Sequence, residues 1–266
     1  MPNIDVQRDL IKWGYLDPPA DGEWGPQSKT ALSYFQKAQN LSITGGIDPA
    51  TLTALKANPP PLKLGTDLAS RIIRQMQRLN MWISRGEKAY NIVYLEGVDE
   101  NGSPNPDALD VWNDRRILIE IVADTPKIIK NWLATTEPGA PYTYKPMNSE
   151  GAFRIAFGQY RSWRFGLHGR SQYPALVQCG SISGYRDKNK DGRRTGDVLV
   201  TGSDFGVNQH HGGDSHNVSF YSAGCLVGQS IEDHREFMEI LRGDRRQKVS
   251  SHYVWYTTIL AGDVLP

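Results

Sequence analysis

The chain is poor in cysteine. Its two thiols, Cys179 and Cys225, in 266 residues are too few for a disulfide framework. It also lacks an excess of either charge: 30 basic and 29 acidic residues leave a formal net charge of +1. No basic stripe runs along it, so nucleic acid is not an expected partner. No stretch approaches the ~20 apolar residues that a bilayer-crossing helix needs, and no membrane span is expected. The segment Met1–Leu10 is polar, with no apolar run ahead of a small-residue cleavage site, so no signal peptide is read there. Apart from a loose pairing within the first 57 residues, no internal repeat stands out. What is present is ordinary globular usage, 39% hydrophobic and 22% charged, enough for a core in one small and one medium unit.

The texture divides the chain into residues 1–57, a proline-rich break at 58–65, and residues 66–266. In the first part, three short helices are predicted over 3–14, 26–39 and 49–57. Pro26 and Pro49 stand at first turns behind the caps Gly25 and Asp48. Val6, Leu10 and Trp13 are expected to meet Leu32 and Phe35, with Leu52 and Leu55 completing a small core. Consecutive prolines at 59–61 favour an extended linker.

In the large part, Leu68, Ile72, Met76, Leu79 and Ile83 fall at a helical period, which predicts a helix from Thr66 to Ile83. The β-rich runs 90–95, 117–122, 153–160, 175–179, 198–201 and 254–259 predict strands between loops rich in Gly, Pro and Asn. A second helix is predicted from Ile231, capped by Ser230 with Asp233 three residues on, and ending at Gly243. The expected fold class is α+β with more than one domain: a small three-helix bundle, then a mainly β domain with flanking helices.

Two stretches resemble known families. The words Val6-Gln7-Arg8-Asp9-Leu10, Asp21-Gly22-Glu23-Trp24-Gly25-Pro26, Ala31-Leu32 with Phe35-Gln36, and Thr44-Gly45 with Ile47-Asp48 and Thr51-Leu52 resemble the peptidoglycan-binding domain family of three-helix modules. The resemblance implies a shallow groove for wall glycan or stem peptide, and so peptidoglycan as the partner.

The second stretch runs Phe205-Gly206-Val207-Asn208-Gln209-His210-His211-Gly212-Gly213, then, after a glycine-rich loop, Ser222-Ala223-Gly224-Cys225. A thiol is mostly protonated at neutral pH, and an imidazole close by can take its proton. A glycine before the sulfur keeps a side chain out of an acyl group's path. Backbone amides of such a turn are oriented to donate to an oxyanion. The arrangement resembles the catalytic motif of the L,D-transpeptidase family, a His-Gly strand ahead of a Ser-x-Gly-Cys turn. On that resemblance Cys225 is the nucleophile, His210 or His211 the base, and Ser222 and Gly224 part of the turn. Alternation with Asn208 favours His210, the His-Gly pair favours His211, and His216 is a third candidate. The family's arginine soon after the cysteine is missing, since Leu226, Val227, Gly228 and Gln229 follow. Cys179 reads as core packing, and His168, His234 and His252 as surface or structural. A zinc site from His210, His211, His216 and Cys225 is disfavoured, because neighbouring strand residues point to opposite faces.

Asp187-Lys188-Asn189-Lys190-Asp191-Gly192 matches the first half of an EF-hand loop, with oxygens at Asp187, Asn189 and Asp191 suited to Ca2+. The second half fails, because Val198 stands where a bidentate Glu belongs. No cofactor beyond this possible Ca2+ is expected. Together these readings point to a cysteine enzyme acting on peptidoglycan at the bacterial cell wall, of the phage-lysin kind. The alternatives are a cross-linking L,D-transpeptidase and a non-catalytic wall-binding protein.

Overall fold

The computed structural model describes residues 2–265. The N-terminal unit holds α1 (Asn3–Lys12), α2 (Pro26–Ala38) and α3 (Pro49–Lys56). The sequence places these helices within two residues of their ends. Asp48 caps α3, its side chain accepting from the Thr51 N–H. Val6, Leu10, Trp13, Leu32, Phe35 and Leu55 make the buried core, with Leu52 packed against it.

The large unit holds α4 (Leu68–Arg78), β1 (Gly86–Glu96), β2 (Asp114–Val122), β3 (Thr125–Thr135), α5 (Ala140–Tyr144), β4 (Ala152–Ile155), β5 (Gly158–His168), β6 (Tyr173–Gln178), β7 (Ile182–Asp187), β8 (Val198–Gly202), β9 (Gln209–His211), β10 (Leu226–Gly228), α6 (Ile231–Arg242), α7 (Arg245–Lys248) and β11 (Trp255–Ala261). Eight strands close a barrel in the order β1-β11-β5-β6-β9-β10-β3-β2, and β4-β7-β8 form a second, three-stranded sheet. The molecule is thus mixed α+β, with helices at the N-terminus followed by a mainly β domain.

The continuous apolar runs of β1 and β2 have a simple cause: both faces are buried. Ile92, Tyr94 and Leu118 point into the barrel core. Val93, Leu95, Ile117 and Ile119 point outward and are covered by Ile72, Ile73 and Met76 of α4. Each such side chain contributes roughly 1.5–3 kcal/mol. Phe237, Met238 and Leu241 of α6 join the inner core. The α6 cap is as expected, Ser230 Oγ accepting from the Asp233 N–H at 3.3 Å.

Several elements differ from expectation. The first helix of this unit stops at Arg78 instead of Ile83, because Asn80 turns left-handed (φ 52°) just beyond the Leu79 cap. The run 153–160 splits at Ala156–Phe157 into β4 and β5, which belong to different sheets. Strands β3 and β7 and the short helices α5 and α7 fall outside the sequence expectations.

The small unit is docked on the barrel. Gly14 (φ 79°) lies so close to Arg85 that an added Cβ would meet its Cγ at 2.8 Å, and the Gly14 carbonyl accepts from the Arg85 N–H at 2.8 Å. Asp17 pairs with Arg246 (3.2 Å) and accepts from Trp82 Nε1 (3.1 Å) and the Tyr253 hydroxyl. Arg245 Nη2 donates to the Tyr15 carbonyl at 3.1 Å. The proline-rich segment also lies on the barrel, with Leu62 and Leu64 packed against the α4 cluster.

Candidate active site

The site forms where β9 and β10 run side by side. They are parallel, with Leu226 opposite Gln209 and Val227 opposite His210. Leu226 belongs to the inner core, and Gln209 bonds Thr257 Oγ1 at 2.8 Å. Alternation therefore turns Val227 and His210 to the other face, shared with Asn208 and Cys225. There Cys225 packs with Trp112, Leu133, Val218 and Val227.

The turn carrying the thiol is held by Ser222. Its buried hydroxyl donates to the Cys225 carbonyl at 2.9 Å and accepts from the Gly224 N–H at 3.2 Å. Gly224 has φ 124°, and a Cβ there would lie 2.5 Å from the Phe153 carbonyl oxygen. The glycine is thus demanded by the backbone's approach to β4, a tighter requirement than room for an acyl group. The Gly224 N–H, bonded to Ser222, is already engaged.

Cys225 and Cys179 are both free thiols. The Cys225 sulfur accepts from the Asn208 N–H at 3.4 Å and donates to the Gly206 carbonyl at 3.6 Å. No histidine nitrogen is among its hydrogen-bond partners among the described residues. Although the residue is partly exposed, burial around the sulfur pushes the thiol up to about 11, offset only in part by the Asn208 N–H.

Four of the six histidines converge beside this face. The rings of His168 and His210 stack with centroids 3.9 Å apart, and Tyr173 stacks on His211 at 4.1 Å. His234 lies 5.7 Å from His211. Asn208 Nδ2 bonds His168 Nδ1 at 2.9 Å, so it reaches the ring on which His210 stacks. Burial lowers the pKa of His168, His211 and His234, the last to about 3, and holds His210 well below the ordinary histidine range, with His168 and Arg116 adding to the effect on His210. The cluster is neutral at pH 7. Arg116 lies against it, bonded to the His210 carbonyl at 2.8 Å and to Tyr94 Oη at 2.7 Å.

The two candidate bases differ. His210 is 2% exposed, and its Nδ1 lies 3.0 Å from the His211 carbonyl oxygen, which can only accept. The Tyr173 hydroxyl lies 3.2 Å from the same Nδ1. A proton on Nδ1 satisfies the His211 carbonyl and leaves the lone pair on Nε2, which is buried without a hydrogen-bond partner, whereas the other tautomer has Nδ1 accept from Tyr173. His211 Nδ1 accepts from the Gly213 N–H at 3.1 Å. The convergence of His168 and His234 escaped the sequence reading, since 66 residues separate them and neither carries a local motif.

In the acidic loop the carboxylate oxygens of Asp187, Asp191 and Asp197 come within 4.8 Å of one another. Asn189 donates to Asp191 at 2.9 Å. Asp187 already accepts from the Asp191 and Gly192 N–H groups and from Arg154 Nε (3.2 Å). Arg154 also pairs with buried Glu137, tying the loop to the barrel. A second carboxylate group, Glu96, Asp107 and Glu137, converges nearby. Among the described residues, neither group that converges at ligand distance contains histidine or cysteine.

Against known proteins, residues 4–55 match the family model described as a putative peptidoglycan binding domain. No curated protein sequence matches the chain. Among solved structures it is similar to a fused Zn-dependent amidase/peptidase/peptidoglycan-binding domain-containing protein from Clostridium acetobutylicum ATCC 824, at 14% identity over 97% of this chain and 94% of that one, with a TM-score of 0.29. It is also similar to the L,D-transpeptidase (residues 123–326) from Xylanimonas cellulosilytica DSM 15894, at 14% identity over 97% and 92%, with a TM-score of 0.22. The N-terminal three-helix unit belongs to the peptidoglycan-binding domain family.

Proposed function

We propose that the protein is a cysteine enzyme acting on peptidoglycan, brought to the bacterial cell wall by its N-terminal unit. The observation that carries the reading is the unpartnered, buried Nε2 of His210, on the strand hydrogen-bonded beside the one that Cys225 leads into. In this reading His210 Nε2 takes the Cys225 proton as the sulfur attacks a stem-peptide carbonyl carbon. The departing amine recovers that proton and leaves a thioester. Water, or an amine from a neighbouring stem, then releases the acyl group. Ser222 and Gly224 shape the turn, and the Cys225 N–H serves the oxyanion. Hydrolysis of the phage-lysin kind is preferred over cross-linking.

A second reading, a non-catalytic wall-binding protein, is favoured by one observation: the resting sulfur bonds only backbone groups and holds its proton up to about 11. Digestion of purified peptidoglycan by wild type and Cys225→Ala, with products read by mass spectrometry, decides. New muropeptides from wild type alone support the enzyme. Identical, undigested walls in both support the binder.

A further inference from the structure

Arg116, on β2, carries its charge into the protein interior with no acid to balance it. It is 1% exposed, and among the described residues it pairs with no carboxylate. Its bonds all go to neutral groups: Nε donates to Tyr94 Oη at 2.7 Å, Nη2 to the His210 carbonyl at 2.8 Å, and Nη1 to His234 Nδ1 at 3.2 Å. The guanidinium also lies over the Phe237 ring, 4.5 Å from its centroid. Space is kept for it on the strand that follows Cys225, since a Cβ at Gly228 would meet Nη1 at 2.8 Å. An unpaired buried cation is costly, and an apolar side chain would fill the same volume without that cost. The charge itself therefore calls for a use.

Its surroundings show one. A guanidinium only donates, so His234 Nδ1 accepts and the ring proton of His234 sits on Nε2. The Pro174 carbonyl accepts from that Nε2 at 2.9 Å, so both ends of the ring agree on the neutral form. His234 in turn meets His211 edge-on at 5.7 Å. A fixed positive charge opposes a second one beside it, and does so more strongly away from water. On His234 burial is the larger force and Arg116 adds to it. On His210 and His211 Arg116 acts in the same direction as burial. Around the cluster, His168 on β5, Tyr173 on β6, Tyr94 on β1 and Cys225 ahead of β10 are neutral in the resting site. The charges at its edge are exposed Asp214 after β9, half-buried Asp233 on α6 and exposed Arg235 on α6, and neither acid bonds Arg116.

We propose that Arg116 is a positioning residue of the candidate site: its unbalanced charge, set against the His234 ring and the His210 backbone, keeps the histidines beside Cys225 unprotonated, so that the base stays open in acid. Arg116 makes and breaks no bond in the reaction and acts only through the histidines. The proposal rests on the cysteine-enzyme reading for its purpose. Its coupling is read on the rings without turnover, so it can fail while that reading survives, and stand where that reading fails.

The test follows the histidine ring shifts by NMR as pH falls, in full-length wild type, Arg116→Gln and Tyr94→Phe. The first variant removes the charge, and the second removes one of its hydrogen bonds and leaves the charge. His211 makes no bond to Arg116, so a change there reports the charge and not a lost contact. In Arg116→Gln, His211 and His234 are expected to hold their protons at least about tenfold more tightly than in wild type. In Tyr94→Phe both are expected to titrate as in wild type. Arg116→Met, neutral and of similar length, serves if the Gln variant does not fold. In digestion of purified peptidoglycan, the acid limb of the rate is expected to move to higher pH in Arg116→Gln and to stay in place in Tyr94→Phe. The proposal is overturned by a His211 that titrates alike in wild type and in a folded neutral variant. It is overturned equally by a shift of the same size in Tyr94→Phe, or by an acid limb that stays in place while the rings move. A wild-type His234 that titrates near 6.5, as an unburied histidine does, overturns it without any variant.

Discussion

The backbone N–H of Asn208 donates to the sulfur of Cys225 at 3.4 Å, across the junction where β9 and β10 run in parallel. This bond favours the thiolate, yet burial wins and holds the resting thiol protonated up to about 11. Alkylation by iodoacetamide should therefore be slow at pH 7 and should rise about tenfold per pH unit through pH 9, because only the thiolate reacts. The rate is read in a Cys179→Ala background, since burial also raises the Cys179 pKa. A plateau below pH 8 would contradict the assignment.

Gly224→Ala is expected to destabilise the protein by at least about 1–3 kcal/mol, because the new Cβ meets a backbone oxygen at 2.5 Å in a left-handed conformation. Ser222→Ala removes two bonds at a fully buried hydroxyl and should cost about 1–3 kcal/mol. Urea unfolding measures both. An unchanged midpoint in either variant would mean that the turn is held by something else.

Glu137 gives the protein a pH dependence whose sign follows from its direction. Burial pushes its carboxyl up to about 7, more than the bonded Arg154 guanidinium pulls it down, and Glu96 adds to the rise. A carboxyl raised in the folded state contributes stability that is complete below about pH 4.5 and lost as pH climbs through 7. The urea midpoint of Glu137→Gln should therefore change less between pH 5 and pH 8 than that of wild type. Some slope should survive in the variant, because Asp114 is shifted the same way.

Asp17→Ala should cost at least about 1–3 kcal/mol, because it orphans the buried Tyr253 hydroxyl and removes one of the two carboxylates on Arg246. Arg246 keeps Asp244 at 2.8 Å, so the loss is felt mainly where the small unit meets the barrel. Limited proteolysis should then cut within 58–65 faster than in wild type. Equal cutting rates would show that this contact does not hold the two units together.

Much of this was legible where one local rule sufficed. Ser230, Asp233 and Gly243 frame α6 because capping is decided within a single turn. The Asp48 cap and the Pro26 and Pro49 starts did the same for the small unit. Strand β3 was missed because Lys127, Lys130 and Asn131 interrupt its apolar residues, and because the preceding turn uses Ala123 and Asp124 in left-handed conformations (φ 49° and 62°) without the usual glycine. The histidine cluster was hidden for another reason. His168 reaches it from β5, His210 and His211 from β9, and His234 from α6, so only barrel closure makes them neighbours. The nucleophile candidate was readable from its turn, while its electrostatics depended on burial that no motif encodes.

The contacts of Tyr15 and Asp17 with Arg245, Arg246 and Tyr253 hold the N-terminal unit at a set orientation and reach from the thiol. On the proposed reading, a polymer strand gripped by the first unit would meet the second at one spacing along its length. Such a molecule would measure before it acts, and the repeat of the lattice would be imprinted in the sizes of the fragments it leaves.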